Sequence, residues 1–253
     1  MDVSKYKLGV GISHYSREDK LHEIVKAVIE TTPPGTRIVV ADDGSKNIEE
    51  VARICSDLGV ILISGKNKGV GFNKNRLLFM LQDCTFICIL EDDLMPIDKG
   101  WMESYIKAAA LSGIHHFCRV QPPKEVSDSM PEFSNFMIGQ GLTPLFAPSP
   151  RGDLTFITKK VIQEVGAFNP EFIGVGHAHG EYVSRILKAG LIPHSGKFID
   201  IKESRDKFIQ IGDREGGRWT GNQTVVEDDL RRNRKIRREL EKSAYIYHDL
   251  VLE

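Results

Sequence analysis

The sequence has no excess of charge of either sign. Its 34 Lys and Arg against 35 Asp and Glu leave a formal net charge of -1, so no global field recruits nucleic acid or an anionic membrane, and such a partner has to be read from a local patch. Cysteine is scarce as well. Cys55, Cys84, Cys88 and Cys118 show no CxxC spacing and lie mostly in apolar runs, which predicts buried reduced thiols, no disulfide framework and a reducing, cytoplasmic location. No run approaches the roughly 20 apolar residues of a membrane span. Residues 1–13 (MDVSKYKLGVGIS) lack the apolar core of a signal peptide. Internal repeats and low-complexity segments are missing too. What remains is a chain of 253 residues, 41% hydrophobic and 27% charged, able to bury a large core as one domain or two intimate ones.

Against that background one stretch stands out. In residues 85–96, TFICILEDDLMP, an apolar run without alternation stops on Glu91, Asp92 and Asp93. Such a run suits a strand buried on both faces of a parallel sheet, and the acids then sit at its carboxyl end, where open α/β sheets bind ligands. Clustered carboxylates repel unless a cation offsets them. The acids therefore read either as half of a site for Mg²⁺ or Mn²⁺ beside a diphosphate, or as a solvated turn before a helix capped by Asp98.

Upstream, the same alternation repeats. Residues 8–13 (LGVGIS) read as a strand and 17–31 as a helix with Leu21, Ile24, Val25, Val28 and Ile29 inward. Residues 37–41 (RIVVA) form a second buried strand, again ending on acids, Asp42 and Asp43. A helix over 48–58 and a strand over 60–64 lead to GKNKGVG (65–71), whose glycines allow close backbone approach while Lys66, Lys68, Lys74 and Arg76 supply positive charge. That loop reads as a phosphate cradle or as a basic turn before a helix over 73–82. Alternating strands and helices predict a mostly parallel, Rossmann-like α/β sheet.

Four motifs now stand in order: HYSRED after the first strand, VVADDGS after the second, NKGVGFNKNR after the third and LEDDLMP after the fourth. Together they resemble the nucleotide-sugar half of family 2 glycosyltransferases of the GT-A fold. The resemblance implies a nucleotide-sugar donor, UDP-linked by expectation, with Ser13, Tyr15, Asp42, Asp43, Lys68, Gly69, Asn73, Arg76 and Asp92 around it. It implies that the triplet at 91–93 acts as a DxD-type motif, with Glu91 and Asp93 as ligands of Mn²⁺ or Mg²⁺. Glu91 stands where the family usually has Asp.

The second half is less regular. Residues 100–112 read as a helix with Trp101, Tyr105 and Ile106 inward, 115–120 (HHFCRV) as a strand, and 121–150 carry six prolines, which predicts a long irregular loop. A strand over 152–160 and a short helix over 161–166 follow. Residues 165–190, VGAFNPEFIGVGHAHGEYVSRILKAG, extend the resemblance to the family's GxF, its acidic base pair and a helix ending RxxxxG. Ala178 and His179 occupy the pair, with Glu181 two residues on. The implied base of an inverting transfer is thus His179, whose imidazole titrates near neutrality, or Glu181. His194 matches the histidine the family often lends to the metal.

Residues 225–247 (VVEDDLRRNRKIRRELEKSAYIY) place acids before arginines, the order a helix dipole favours. The helix reads as solvated and packed through Leu230, Ile236 and Leu240, or as a basic face for an anionic acceptor. The expected organisation is a nucleotide-sugar half over 1–120, an acceptor half over 121–222 and a helical tail over 223–253. The expected activity is metal-dependent inverting transfer of a sugar to a glycan or glycoconjugate hydroxyl. Transfer to a hydroxylated base in nucleic acid, and a module that binds nucleotide-sugars without turnover, are the alternatives.

Overall fold

A computed structural model describes residues 2–120, 141–147, 150–193, 198–211, 223–250 and 252. In chain order the elements are β1 (Leu8–His14), α1 (Glu18–Thr31), β2 (Arg37–Asp42), α2 (Ile48–Asp57), β3 (Ile61–Ser64), α3 (Val70–Leu81), β4 (Phe86–Glu91), β5 (Leu94–Pro96), α4 (Trp101–Ser112) and β6 (His116–Val120). They continue with β7 (Pro144–Ala147), β8 (Pro150–Thr158), α5 (Lys159–Val165), α6 (Ala178–Lys188), β9 (Phe198–Ile201), α7 (Lys202–Arg205), β10 (Phe208–Gln210) and α8 (Gln223–Leu240).

Six strands form one sheet in the order β3-β2-β1-β4-β8-β6. The first four are parallel, as the unbroken apolar runs predict. Val10, Ile12, Val39, Val40 and Ile87 to Leu90 are fully enclosed because helices cover both faces. Gly11 lets α3 lie close on β1, since a Cβ there would stand 2.9 Å from the Leu77 side chain. The sheet turns antiparallel at β8, which inserts between β4 and β6 and carries Phe156 into a ring cluster with Phe86, Tyr105 and Phe117. Two small two-stranded sheets, β10-β5 and β7-β9, lie beside it.

Several expectations need correction. Ile29 is 39% exposed, because the buried stripe of α1 ends at Val28. Helix α3 starts at Val70 rather than Asn73, so the glycine loop is shorter, and Lys74 lies in the helix as expected. Asp98 does not cap α4. Gly100, in the left-handed region, holds that place, and the Asp98 carboxylate accepts only from the Lys99 N–H. Within the proline-rich region, β7 is a strand paired with β9; residues 121–140 and 148–149 lie outside the described residues. All four cysteines are buried and free, and no helix among the described residues is long and apolar enough to cross a membrane.

Candidate active site

The carboxyl ends of β1, β2 and β4 bring the motif residues to one edge of the sheet, where they engage one another. The Asp42 carboxylate accepts from the Gly44 and Ser45 N–H groups and from the Ser64 hydroxyl, which shapes the turn after β2. Asp43 accepts from the Lys68 and Gly69 N–H groups at 3.0 and 2.8 Å and from the Arg76 guanidinium at 2.9 Å. Burial raises its pKa, and those donors oppose the rise. Asn73 donates to the Ala41 carbonyl and the Ser13 hydroxyl, tying β1 to β2. Asp92 turns back to the first loop, accepting from the Tyr15 N–H at 2.8 Å, with His14 at 3.3 Å and Arg17 at 3.7 Å. The Tyr15 ring is half exposed, and the Lys68 ammonium lies over Phe72.

Gly69 joins this edge to the second half. Its φ is 95°, and a Cβ would stand 2.3 Å from the Gly174 nitrogen, so only glycine permits the backbone bridge between the two.

Beside the bridge opens a cleft of about 320 Å³, lined by Lys74, Glu91, Gly152, Phe168, His179 and Arg237 among others. The Lys74 ammonium, held over Phe168, donates to Glu91 at 3.1 Å and to the Gly152 carbonyl at 2.8 Å. Burial raises the Glu91 pKa; Lys74 opposes this, and the charges of Asp93 and Asp153 add to it. Lys74 is the cation that offsets Glu91, whose carboxylate oxygens are donors of the kind that Mg²⁺ or Mn²⁺ takes. Of the three acids only Glu91 lines the cleft. Asp93 is fully buried, and His194 lies outside the described residues.

The two base candidates part company. His177 begins α6 with a φ of 67°, which turns His179 into the cleft. Burial, and then Lys74, hold His179 well below the usual imidazole pKa, so it is neutral. Glu181 lies outside the cleft. Its carboxylate receives Arg185 at 2.6 and 3.1 Å in a buried pair, and Arg185 also donates to the Val165 and Ala167 carbonyls. Asp153, a further acid near the cleft, is held by Arg119 at 2.8 Å and Arg151 at 3.0 Å.

Sequence reasoning missed two residues here. His116 sits 3.5 Å from His179, Nε2 to Nε2, and its signal was the HxC alternation within HHFCRV. Arg237 reaches the cleft from α8 as part of a helix face whose most buried member is polar. Asn233 is 0% exposed and donates to the carbonyls of Ile173, Val175 and Gly176, while Leu230, Ile236 and Leu240 are half-buried.

Residues 10–122 match the family described as Glycosyl transferase family 2. No curated protein sequence matches the chain at a significant level. Among solved structures, the mannosyltransferase PcManGT from Pyrobaculum calidifontis, in complex with GDP-Man and Mn²⁺, is similar with a TM-score of 0.54 and 16% identity, covering 76% of this chain and 55% of that one. GalNAc-T7 with UDP, GalNAc and Mn²⁺ gives a TM-score of 0.71 at 15% identity over 94% of this chain and 48% of that one. S. aureus TarS gives 0.51 at 14% identity over 72% and 34%. At such identities the likeness is one of fold, and this chain spans about half or less of those proteins' length. The likeness defines the fold, that of the GT-A glycosyltransferases, and residues 10–122 carry the segment similar to Glycosyl transferase family 2.

Proposed function

We propose that this chain transfers a sugar from a nucleotide-sugar, UDP-linked by preference, to a hydroxyl of a glycan or glycoconjugate, by metal-assisted direct displacement with inversion. The observation that carries the reading is the single cleft in which Glu91 and Lys74 from the donor edge meet His179 from α6. Asp42 and Asp43 hold the loops that would receive the base and ribose, and Tyr15 offers an exposed ring for stacking. Lys74 would meet the leaving diphosphate as a fixed positive charge. Glu91, with Asp93, would hold the Mn²⁺ or Mg²⁺ ion, which neutralises that diphosphate when bound.

His179 is the proposed base. The His116 Nδ1 lies 3.0 Å from the Phe156 carbonyl, which only accepts, so Nδ1 carries the His116 proton and Nε2 carries a lone pair. The facing His179 Nε2 must then hold its own proton. That leaves the lone pair on Nδ1, which is buried without a hydrogen-bond partner on the side of Gly152, as the acceptor of the proton from a hydroxyl that enters the cleft.

A glycan acceptor is favoured over nucleic acid by the charge on α8. Of the six basic residues of α8, Arg231, Arg232 and Arg237 are paired with Asp228, Asp229 and Glu241, so half of the positive charge is offset. A thermal-shift panel of nucleotide-sugars with Mn²⁺ tests the reading. One nucleoside diphosphate and its sugar conjugate should raise Tm only when the metal is present; a panel without any such shift would refute it. Donor binding without release of nucleoside diphosphate would identify a non-catalytic binding module.

A further inference from the structure

Beyond the oxygen-donor edge, His116, Cys118 and His179 form a second group with ligand character. All three are buried, and one ligand atom from each lies within 4.8 Å of the others. His116 and Cys118 are two residues apart on β6, so the pleat puts both on one face, and the first turn of α6 brings His179 to them. The Nε2 atoms of the two histidines are 3.5 Å apart. His116 already gives its Nδ1 proton to the Phe156 carbonyl, the outer contact that orients a metal-binding imidazole. Around the group, the His179 Nδ1 and the hydroxyl of Thr155, which stands opposite Cys118 in the ladder, are buried without a hydrogen-bond partner. Of the three, His179 lines the cleft.

We propose that His116, Cys118 and His179 bind Zn²⁺ through two Nε2 atoms and a thiolate, with solvent from the cleft as fourth ligand. Two imidazoles and a sulfur form a soft set that selects Zn²⁺ over Mg²⁺, whereas the carboxylates at 91–93 select the reverse. On binding, the Sγ–H bond of Cys118 breaks, its proton leaves to solvent and the sulfur pair forms the bond to Zn²⁺. The imidazoles bind neutral, and nothing is oxidised or reduced. A consequence rests on the base role proposed for His179. With the ion on Nε2 the ring proton moves from Nε2 to Nδ1, the Nδ1 lone pair is lost, and Zn²⁺ silences transfer.

The test uses the full chain and Co²⁺ as a spectroscopic stand-in. With Mg²⁺ in excess, wild type should show thiolate-to-cobalt charge transfer in the near ultraviolet that saturates at one equivalent of Co²⁺. Cys118→Ser should lose that band and bind Zn²⁺ about tenfold or more weakly, while its metal-free Tm shows that it folds. His116→Gln is the second variant if Cys118→Ser does not fold, and it too should weaken binding. Wild type without a thiolate band, or a band that persists in Cys118→Ser, overturns the site. With Mn²⁺ saturating, Zn²⁺ should slow transfer by wild type and not by Cys118→Ser. A thiolate band without inhibition keeps the site and overturns its coupling to His179.

Discussion

At the scale of single residues, His179 and Glu181 are two positions apart, which is about 200° around an α-helix. One of them faces the cleft and the other the helix-packing side. Resemblance brought both forward, but motif spacing does not carry the phase of α6, which is set by His177 at its start. His179→Ala should lower turnover by roughly 10²- to 10⁴-fold, with donor affinity nearly intact. Glu181→Gln should instead leave turnover close to wild type and lower stability by about 3 kcal/mol, because it leaves the buried Arg185 charge uncompensated. Steady-state kinetics and urea unfolding of both variants check this; the opposite pattern would exchange their roles. Because burial depresses the His179 pKa, the acid limb of kcat/KM should fall below the ordinary imidazole value of 6.5. Glu91 and Lys74 illustrate a different limit. Each was legible as a charged motif residue, but their 3.1 Å contact joins α3 to the end of β4, a pairing that sequence spacing does not carry.

At the scale of elements, β1, β2 and β4 were readable because residues buried on both faces leave unbroken apolar runs, and the edge strand β3 by its place in the alternation. β8 was readable as a strand, but not its antiparallel insertion between β4 and β6, since strand partners are chosen by the whole sheet. The C-terminal helix was legible by charge order, and its anchor was not, because Asn233 breaks the apolar stripe that periodicity searches for. Asn233→Ala removes donors from three backbone carbonyls. It should cost about 1 to 3 kcal/mol and loosen the Gly174 to Gly176 turn beside the cleft. Hydrogen exchange should report faster opening of residues 173–176; unchanged protection would show that α8 does not hold the turn. Gly69→Ala should be harsher, since the added Cβ meets the Gly174 backbone. Donor affinity and Tm should both fall, and a variant with wild-type values of both would show that the bridge is dispensable.

At the scale of the whole molecule, one sheet carries both the donor edge and the strands under the cleft, so folding and site assembly share buried groups. His116 is an example. Burial lowers its pKa to about 4 from 6.5, so at pH 5 to 6 the unfolded chain binds a proton that the folded chain excludes. The stability this group permits is therefore complete above pH 6.5 and is lost as pH falls toward 4, by about 1.4 kcal/mol per pH unit. Urea unfolding of the metal-free protein at pH 7 and pH 5 should show wild type losing about 2 kcal/mol more than His116→Leu, and parallel losses would contradict the burial account.

The central claim is that Glu91 and the divalent ion it would hold drive cleavage of a nucleotide-sugar in this cleft. The direct measurement is release of nucleoside diphosphate from a nucleotide-sugar panel by wild type and Glu91→Gln, with Mn²⁺ and after chelation. Wild type should show Mn²⁺-dependent release, abolished by chelator, restored by added Mn²⁺ and reduced by about 10²-fold or more in Glu91→Gln. Release that is indifferent to chelator, or equally fast in Glu91→Gln, would contradict the claim.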